Sequence, residues 1–379
     1  MEQKQSQTQI ELVIEPTPTV DSTPHQIIIK RSLSPILAKF HAGYFRISLS
    51  LCSQALLWKI LLEPNDDVHA IRRAFRMVPS TAFRFLWSLA LFTLALQSLL
   101  YILRCLLLFE MVKAEFLHHV GVNYLFAPGI SWLLLIQSSP FISPNTIWYR
   151  VFWCLLVFPI FVLDVKIYGQ WFTKGKRFLA TVANPASQLS VIGNLVAARA
   201  AAQMGWKESA LCMFSLGMVH YLVLFVTLYQ RLSGNNSLPV TLRPVFFLFI
   251  GAPSMASLAW CSISGKFDSA SKMLYFLSLF LFLSLVSRPN LFKKSMRKFN
   301  VAWWAYPFPL TWLALAATKY AEEVKGEIAH GIMIVFSALS VLVSLILIAI
   351  TALRSNVLLP DISRASTPKQ LHVLPRVQS

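Results

Sequence analysis

The stretch AWWAYPFPLTWLALAATKY, residues 302–320, traps a phenylalanine, Phe308, between two prolines in an otherwise apolar run. Each proline deletes a backbone donor and crowds the preceding turn, which inside a soluble helix costs roughly 3 kcal/mol. The cost is tolerable at membrane depth only where freed backbone groups face protein or a water-filled cavity. The rest of the chain agrees with a membrane setting. Of its 379 residues 56% are hydrophobic and 13% charged, and the mean hydropathy is +0.59. A bilayer core about 30 Å thick takes about 20 mostly apolar residues per helix. Alternating strand periodicity is absent, so helices rather than a barrel are expected to span it.

The expected fold is an all-α membrane protein with ten transmembrane helices, over 43–62, 82–107, 124–140, 147–165, 187–204, 208–230, 243–262, 272–288, 300–321 and 328–353. Residues 1–40 read as a disordered N-terminal tail, 41–353 as the membrane domain and 354–379 as a C-terminal tail. The polar start contains no basic region leading into an apolar core and a cleavage site, so no cleaved signal peptide is expected. Five scattered cysteines argue against a disulfide scaffold, and without His partners at ligand spacing against a zinc site.

The net charge of +18 is not gathered into a basic patch beside aromatics, so nucleic acid is not an expected partner. The basic residues sort by loop instead. Lys30, Arg31, Lys39, Lys113, Lys166, Lys174, Lys176, Arg177 and the cluster Arg288–Lys298 fall on one side. Arg72, Arg73, Arg76, Lys207, Lys266, Lys272 and Lys325 fall on the other. The positive-inside rule places both termini in the cytoplasm, and the three arginines of the first outer loop run against it.

Helix breakers fall mostly in the odd-numbered spans: Pro128 in the third, Pro185 and Gly193 in the fifth, Pro253 in the seventh, Pro307 and Pro309 in the ninth. This pattern predicts five hairpins, each pairing a kinked inner helix with a straighter outer one around a central pore. The odd spans have no acidic residue at their middles, which argues against a cation path. They carry Ser48, Ser50, Ser53, Ser131, Ser138, Ser190, Asn194, Ser254, Ser257 and Thr311 instead, with Ser254 and Ser257 expected to line the conduit. Two arginines, Arg46 and Arg199, would attract an anion if they face it, or snorkel to the interface if they do not. Phe308 lies about 12 Å past Asn300 at helical rise. Its flanking prolines are expected to push Tyr306 and Phe308 off helical dihedrals. The ring then either closes an uncharged pore by dewetting or packs between helices, and spacing leaves both open.

Several stretches resemble one known family, the plant slow-type anion channels of the SLAC/SLAH group, related to the bacterial tellurite-resistance protein TehA. They are NYLFAP (123–128), KIYGQWF (166–172), ANPASQLSVIGNLVAA (183–198), VHYLVLFVTLYQRL (219–232), APSMASLAW (252–260), FNVAWWAYPFPLTW (299–312) and KYAEE (319–323). They run in family order over nearly the whole chain and are most similar to the short-tailed SLAH branch. The resemblance implies ten helices around one pore per protomer, trimers (homomeric or mixed) in the plasma membrane, passive chloride and nitrate flux, and a gating phenylalanine at Phe308. No cofactor is expected, since the residues carry no cofactor fingerprint. Pro307, Arg46 and Arg199 depart from the family pattern.

Ser32 and Ser34 in KRSLSP, and Ser366 in SRAS, are candidate acceptors for protein kinases. His118, His119 and His220 are read as interfacial or helix-bonding residues ahead of pH sensors. An enzyme is not expected, since no catalytic arrangement or cofactor fingerprint is present. Two rivals to a channel stay open: a proton-coupled carrier of dicarboxylates or other anions, and a silent subunit that modulates conducting relatives.

Overall fold

A computed structural model describes residues 36–62, 80–173, 182–232, 240–293, 296 and 299–354. The described residues are all-α. Ten helices carry the architecture: α1 (Arg46–Leu62), α2 (Ser80–Leu107), α3 (Phe126–Ser138), α4 (Ile147–Thr173), α5 (Gln188–Gln203), α6 (Lys207–Leu232), α7 (Leu248–Ser264), α8 (Ser269–Val286), α9 (Pro307–Val324) and α10 (Glu327–Leu353). Among the described residues seven helices are long and apolar enough to cross a membrane, or eight if the bent pair Phe109–Leu117 and Gly121–Ser138 counts as one span. This is a multi-pass membrane protein. Two helices that fall short are α5, with 16 residues, and α9, which carries Lys319, Glu322 and Glu323 toward its end.

Burial divides the helices into two layers. The segments Ala42–Leu62 and Arg243–Ser264 are 72% buried, whereas the crossing segments of α2, α4, α6, α8 and α10 are between 17% and 33% buried. α5 is buried from Gln188 through Ala201, and α9 from Pro307 through Thr318. Large apolar side chains such as Phe92, Phe158, Phe280 and Leu345 stand exposed on the outer helices, as lipid-facing residues must. Each odd-numbered helix packs on the even-numbered one that follows it. The odd-numbered helices also pack on one another in order, and α9 returns to α1 to close a ring.

Local chemistry sets the turns. Gly205 and Gly265, at φ +79 and +77, follow the ends of α5 and α7 in the left-handed conformation that glycine adopts without strain. Asp268 then caps α8 by accepting from the Ser271 amide at 3.0 Å. Between layers, hydroxyls and amides bond across helices where lipid offers no partner. Ser48 donates to Gln97 at 2.6 Å, the Ser190 hydroxyl pairs with Tyr168 at 2.7 Å, and the Gln54 amide reaches Thr311 at 2.9 Å and Ser340 at 2.7 Å.

Every inner helix is entered through a short helical turn: Ala42–Phe45, Gly121–Tyr124, Pro185–Ser187, Val240–Phe247 and Val301–Ala305. Side chains cap three of them, with His41 accepting from the Gly43 amide, Asn184 from Ala186 and Asn300 from Ala302. Successive turns touch one another, and the last touches α1, so the five inner helices run parallel with their N-termini gathered in one collar.

Four expectations need correction. Tyr306 is helical, at φ −78 and ψ −48, because Pro307 and Pro309 stand in the first turn of α9. There the missing amides would have no intrahelical acceptor, so the prolines start a helix instead of kinking one. Residues 110–117, read as part of a loop, belong to a helix, Phe109–Leu117, bent 104° from the helix pair Gly121–Ser138. Asp164, taken to end a span, is 3% exposed inside α4, which continues to Thr173. Leu37 and Phe40 are buried, so packing starts before residue 41. The rest of the tails and the loop with Arg72, Arg73 and Arg76, together with Ser32, Ser34 and Ser366, lie outside the described residues.

Candidate functional site

The first turns of the inner helices meet at a cavity of about 10 Å³, close to the least volume that holds one water. All five inner elements line it: Arg46 and Leu49 from α1, Tyr124 from the turn before α3, Leu189 from α5, Leu248 from α7, and Trp304, Ala305 and Phe308 from α9 and its entry turn. Phe308 is 2% exposed and stands edge to face with Trp312, their centroids 6.3 Å apart. Its position as the second residue of α9, one step past the entry turn, brings its ring level with the first turns of the other four helices.

Among the described residues Arg46 is the one charged residue in that lining, and no acidic residue belongs to it. Its Nε donates to the Gly43 carbonyl at 2.8 Å, and its guanidinium carbon lies 4.9 Å from the Tyr124 ring centroid. Gly43 is needed for this arrangement, since a Cβ there would meet His41 Cε1 at 2.5 Å and Arg46 Nη2 at 3.3 Å. Burial drives the His41 imidazole down to about 4, with the Arg46 and Arg104 charges acting in the same direction. Neutral His41 therefore keeps its Nδ1 lone pair for the Gly43 amide, 3.0 Å away.

Arg199 sits elsewhere. It is 6% exposed, and its Nη1 donates to Gln137 Oε1 at 2.6 Å, near the C-terminus of α3. Lys59 reaches the same end, with Nζ 3.0 Å from the Gln137 carbonyl and 3.3 Å from that of Ser139. Two cations thus meet the negative end of a helix dipole, which stabilises them there.

The expected lining residues divide. Pro128 is in the first turn of α3, Pro185 begins the turn before α5, and Pro253 lies inside α7. Gly193 lets α5 approach its neighbours, since a Cβ there would contact Ile160 and Phe126 at 3.4 Å. Ser254 and Ser257 face outward: the first shares a hydrogen bond with Ser278, and the second donates to the Ser271 carbonyl at 2.8 Å. Their hydroxyls are spent on α8, because a lone hydroxyl bonds most cheaply to the helix packed against it. Sequence reasoning missed Leu49, Leu189 and Leu248, whose aliphatic side chains resemble any other membrane leucine. Tyr124 and Trp304 lie within the quoted motifs and could have been found there.

Sequence reasoning also missed a clamp behind Arg46. Arg104 of α2, 4% exposed, donates to the carbonyls of Leu37 (2.8 Å), Ala38 (3.0 Å) and Phe40, and lies 3.7 Å from the Glu115 carboxylate. Glu115 in turn accepts from the Ala42 amide at 2.8 Å. The segment leading into α1 is held by both.

Comparison with known proteins places this architecture. A family model described as voltage-dependent anion channel matches residues 39–352. The S-type anion channel SLAH1 of Arabidopsis thaliana is 59% identical over 340 residues, covering 89% of this chain and 88% of that protein. SLAH4 of the same plant is 58% identical over 327 residues, covering 86% and 87%. A tellurite resistance protein TehA homolog of Haemophilus influenzae is 25% identical over 301 residues, covering 77% and 84%. A ring of buried helices closed on a phenylalanine and a single arginine therefore sits in a chain that belongs to the plant SLAC/SLAH family of anion channels.

Proposed function

We propose that the chain is a slow-type anion channel that passes chloride and nitrate down their gradients across the plasma membrane. In this reading ten helices cross the bilayer as five hairpins with both termini cytoplasmic. The conduit follows the axis of the inner ring, and Phe308 closes it. The observation that carries the reading is the small cavity to which every inner element contributes and whose wall includes Phe308. A space near the size of one water admits no hydrated anion, so the ring must move for ions to pass. Two features favour anions. Arg46 places a positive charge beside the plug, and five parallel helices gather the positive ends of their dipoles in one collar. The short inner helices fit this reading, since each entry turn adds to the length spanned.

Voltage clamp of oocytes expressing Phe308→Ala, in chloride and then nitrate, tests the proposal. The expected outcome is a constitutive anion current that the unmodified chain does not carry at rest. A membrane that stays silent in both anions, with the protein confirmed at the surface, removes Phe308 as the plug.

A further inference from the structure

Outside the collar lies a second cavity, of about 330 Å³, between the turn that enters α3, the last turns of α4 and the turn that enters α5. Its polar lining consists of His118, His119, Asn123, Lys166, Gln170 and Ser187, and among the described residues no acidic one belongs to it. A lining with an ammonium, amide and hydroxyl donors and no carboxylate suits a bound anion. His118 Nδ1 accepts from the amides of Val120 at 3.3 Å and Gly121 at 3.2 Å, so the ring proton sits on Nε2 and is free to donate away from the backbone. The His119 ring lies against it, centroids 4.6 Å apart. Lys166 is steadied by the Phe116 carbonyl and by the face of the Phe116 ring, 3.3 Å from Nζ to the centroid.

The surroundings point to the source of the anion. Leu117, in the lining, is 69% exposed, and Val165 and Phe161, on the same stretch of α4, are 58% and 46% exposed. An apolar, lipid-facing surface thus adjoins a polar chamber at the end of a crossing helix, where a phospholipid's headgroup and chains part company. We propose that this cavity binds the phosphate of an anionic phospholipid, with the acyl chains lying along Leu117 and α4. The cavity volume falls at the small end of the range for ligand sites, adequate for a phosphate with its glycerol.

Occupancy would be felt at the plug. Asn123 adjoins Tyr124, and Ser187 is two residues from Leu189, and both Tyr124 and Leu189 line the Phe308 cavity. A bound headgroup therefore braces two of the five walls around Phe308 from behind.

The test is calorimetric titration of the full-length protein in neutral detergent with dioctanoyl phosphatidic acid, dioctanoyl phosphatidylcholine and inorganic phosphate in turn. Phosphatidic acid is expected to saturate one site per chain and to bind at least tenfold more tightly than either of the others. The double variant His118→Asn, Lys166→Gln, in which the asparagine still offers an acceptor to the Val120 and Gly121 amides, is expected to weaken phosphatidic acid at least tenfold. Val182→Phe, which narrows the cavity and keeps its charges, should weaken it as well. Equal binding of the two lipids, or full-strength binding of phosphatidic acid by both variants, overturns the site. Inorganic phosphate binding as tightly as phosphatidic acid overturns the lipid source and assigns a soluble phosphate instead. None of these readouts needs a conducting protein, so the result stands apart from that of the Phe308 experiment.

Discussion

Arg46 shares a cavity with the Phe308 ring and is held by the Gly43 carbonyl and the Tyr124 ring, so its charge acts from a defined place. With the pore opened by Phe308→Ala, adding Arg46→Gln is expected to lower anion conductance roughly tenfold at low salt, the lower end of electrostatic focusing in a cleft. The loss should shrink at high salt, as the screening length falls from about 10 Å at 0.1 M to about 3 Å at 1 M. Equal conductance at both salt levels would remove Arg46 from the path. His41 makes a prediction about pH. Its pKa of about 4 in the folded chain lies below the ordinary 6.5, so the unfolded chain binds the proton more readily. That contribution to stability is complete above pH 6.5 and is lost as pH falls from 6.5 toward 4. Thermal unfolding of the purified protein across that range should show the loss, and His41→Asn, which keeps an acceptor for the Gly43 amide, should flatten it.

The inner elements share one plan, a short entry turn followed by a buried helix. The plan explains both the prolines and the polar residues. Pro128, Pro185, Pro307 and Pro309 stand where a missing amide costs little, so the sequence was right to see breaks there and wrong to see kinks. The buried hydroxyls were legible as interior because lipid would not tolerate them. Which way they turn was not, because a serine bonding outward to α8 and one facing a conduit have the same neighbours in sequence. The Gln54 amide, on α1, ties α9 and α10 together through Thr311 and Ser340. Replacing it with leucine, of similar size, is expected to destabilise by about 1 to 2 kcal/mol, toward the upper end for such bonds in membrane proteins. A thermal midpoint equal to that of the unmodified protein would show that packing, not the amide, joins these helices.

Across the whole molecule, a closed ring of parallel buried helices inside a lipid-facing layer gives one axis and one polarity. Among the described residues the axis meets no acidic lining at its constriction, so nothing there is suited to relay protons alongside an anion. Currents through the Phe308→Ala variant are accordingly expected to reverse at the anion equilibrium potential and to keep that reversal potential when the bath is moved by about one pH unit. A reversal potential that follows the proton gradient would assign a coupled carrier. The second cavity lies against the collar, and two of its lining residues, Asn123 and Ser187, stand within two positions of residues that line the Phe308 cavity.

Composition alone determined that the chain lives in a bilayer, because 56% apolar residues leave too little polar surface for water. The concentration of breakers in alternate segments likewise marked which helices lie inside, and the motif around Phe308 supplied three residues of the cavity they share, Trp304, Ala305 and Phe308. Tertiary structure alone decided that Arg46 rather than Arg199 shares the Phe308 cavity, that Ser254 and Ser257 turn to α8, and that Arg104 and Glu115 hold the entry to α1. The reason is geometric. Hydrophobicity and chain breaks act locally and leave their mark along the sequence, whereas which side of a buried helix meets the axis depends on rotation about that helix. That rotation is set by the packing of all five inner helices at once.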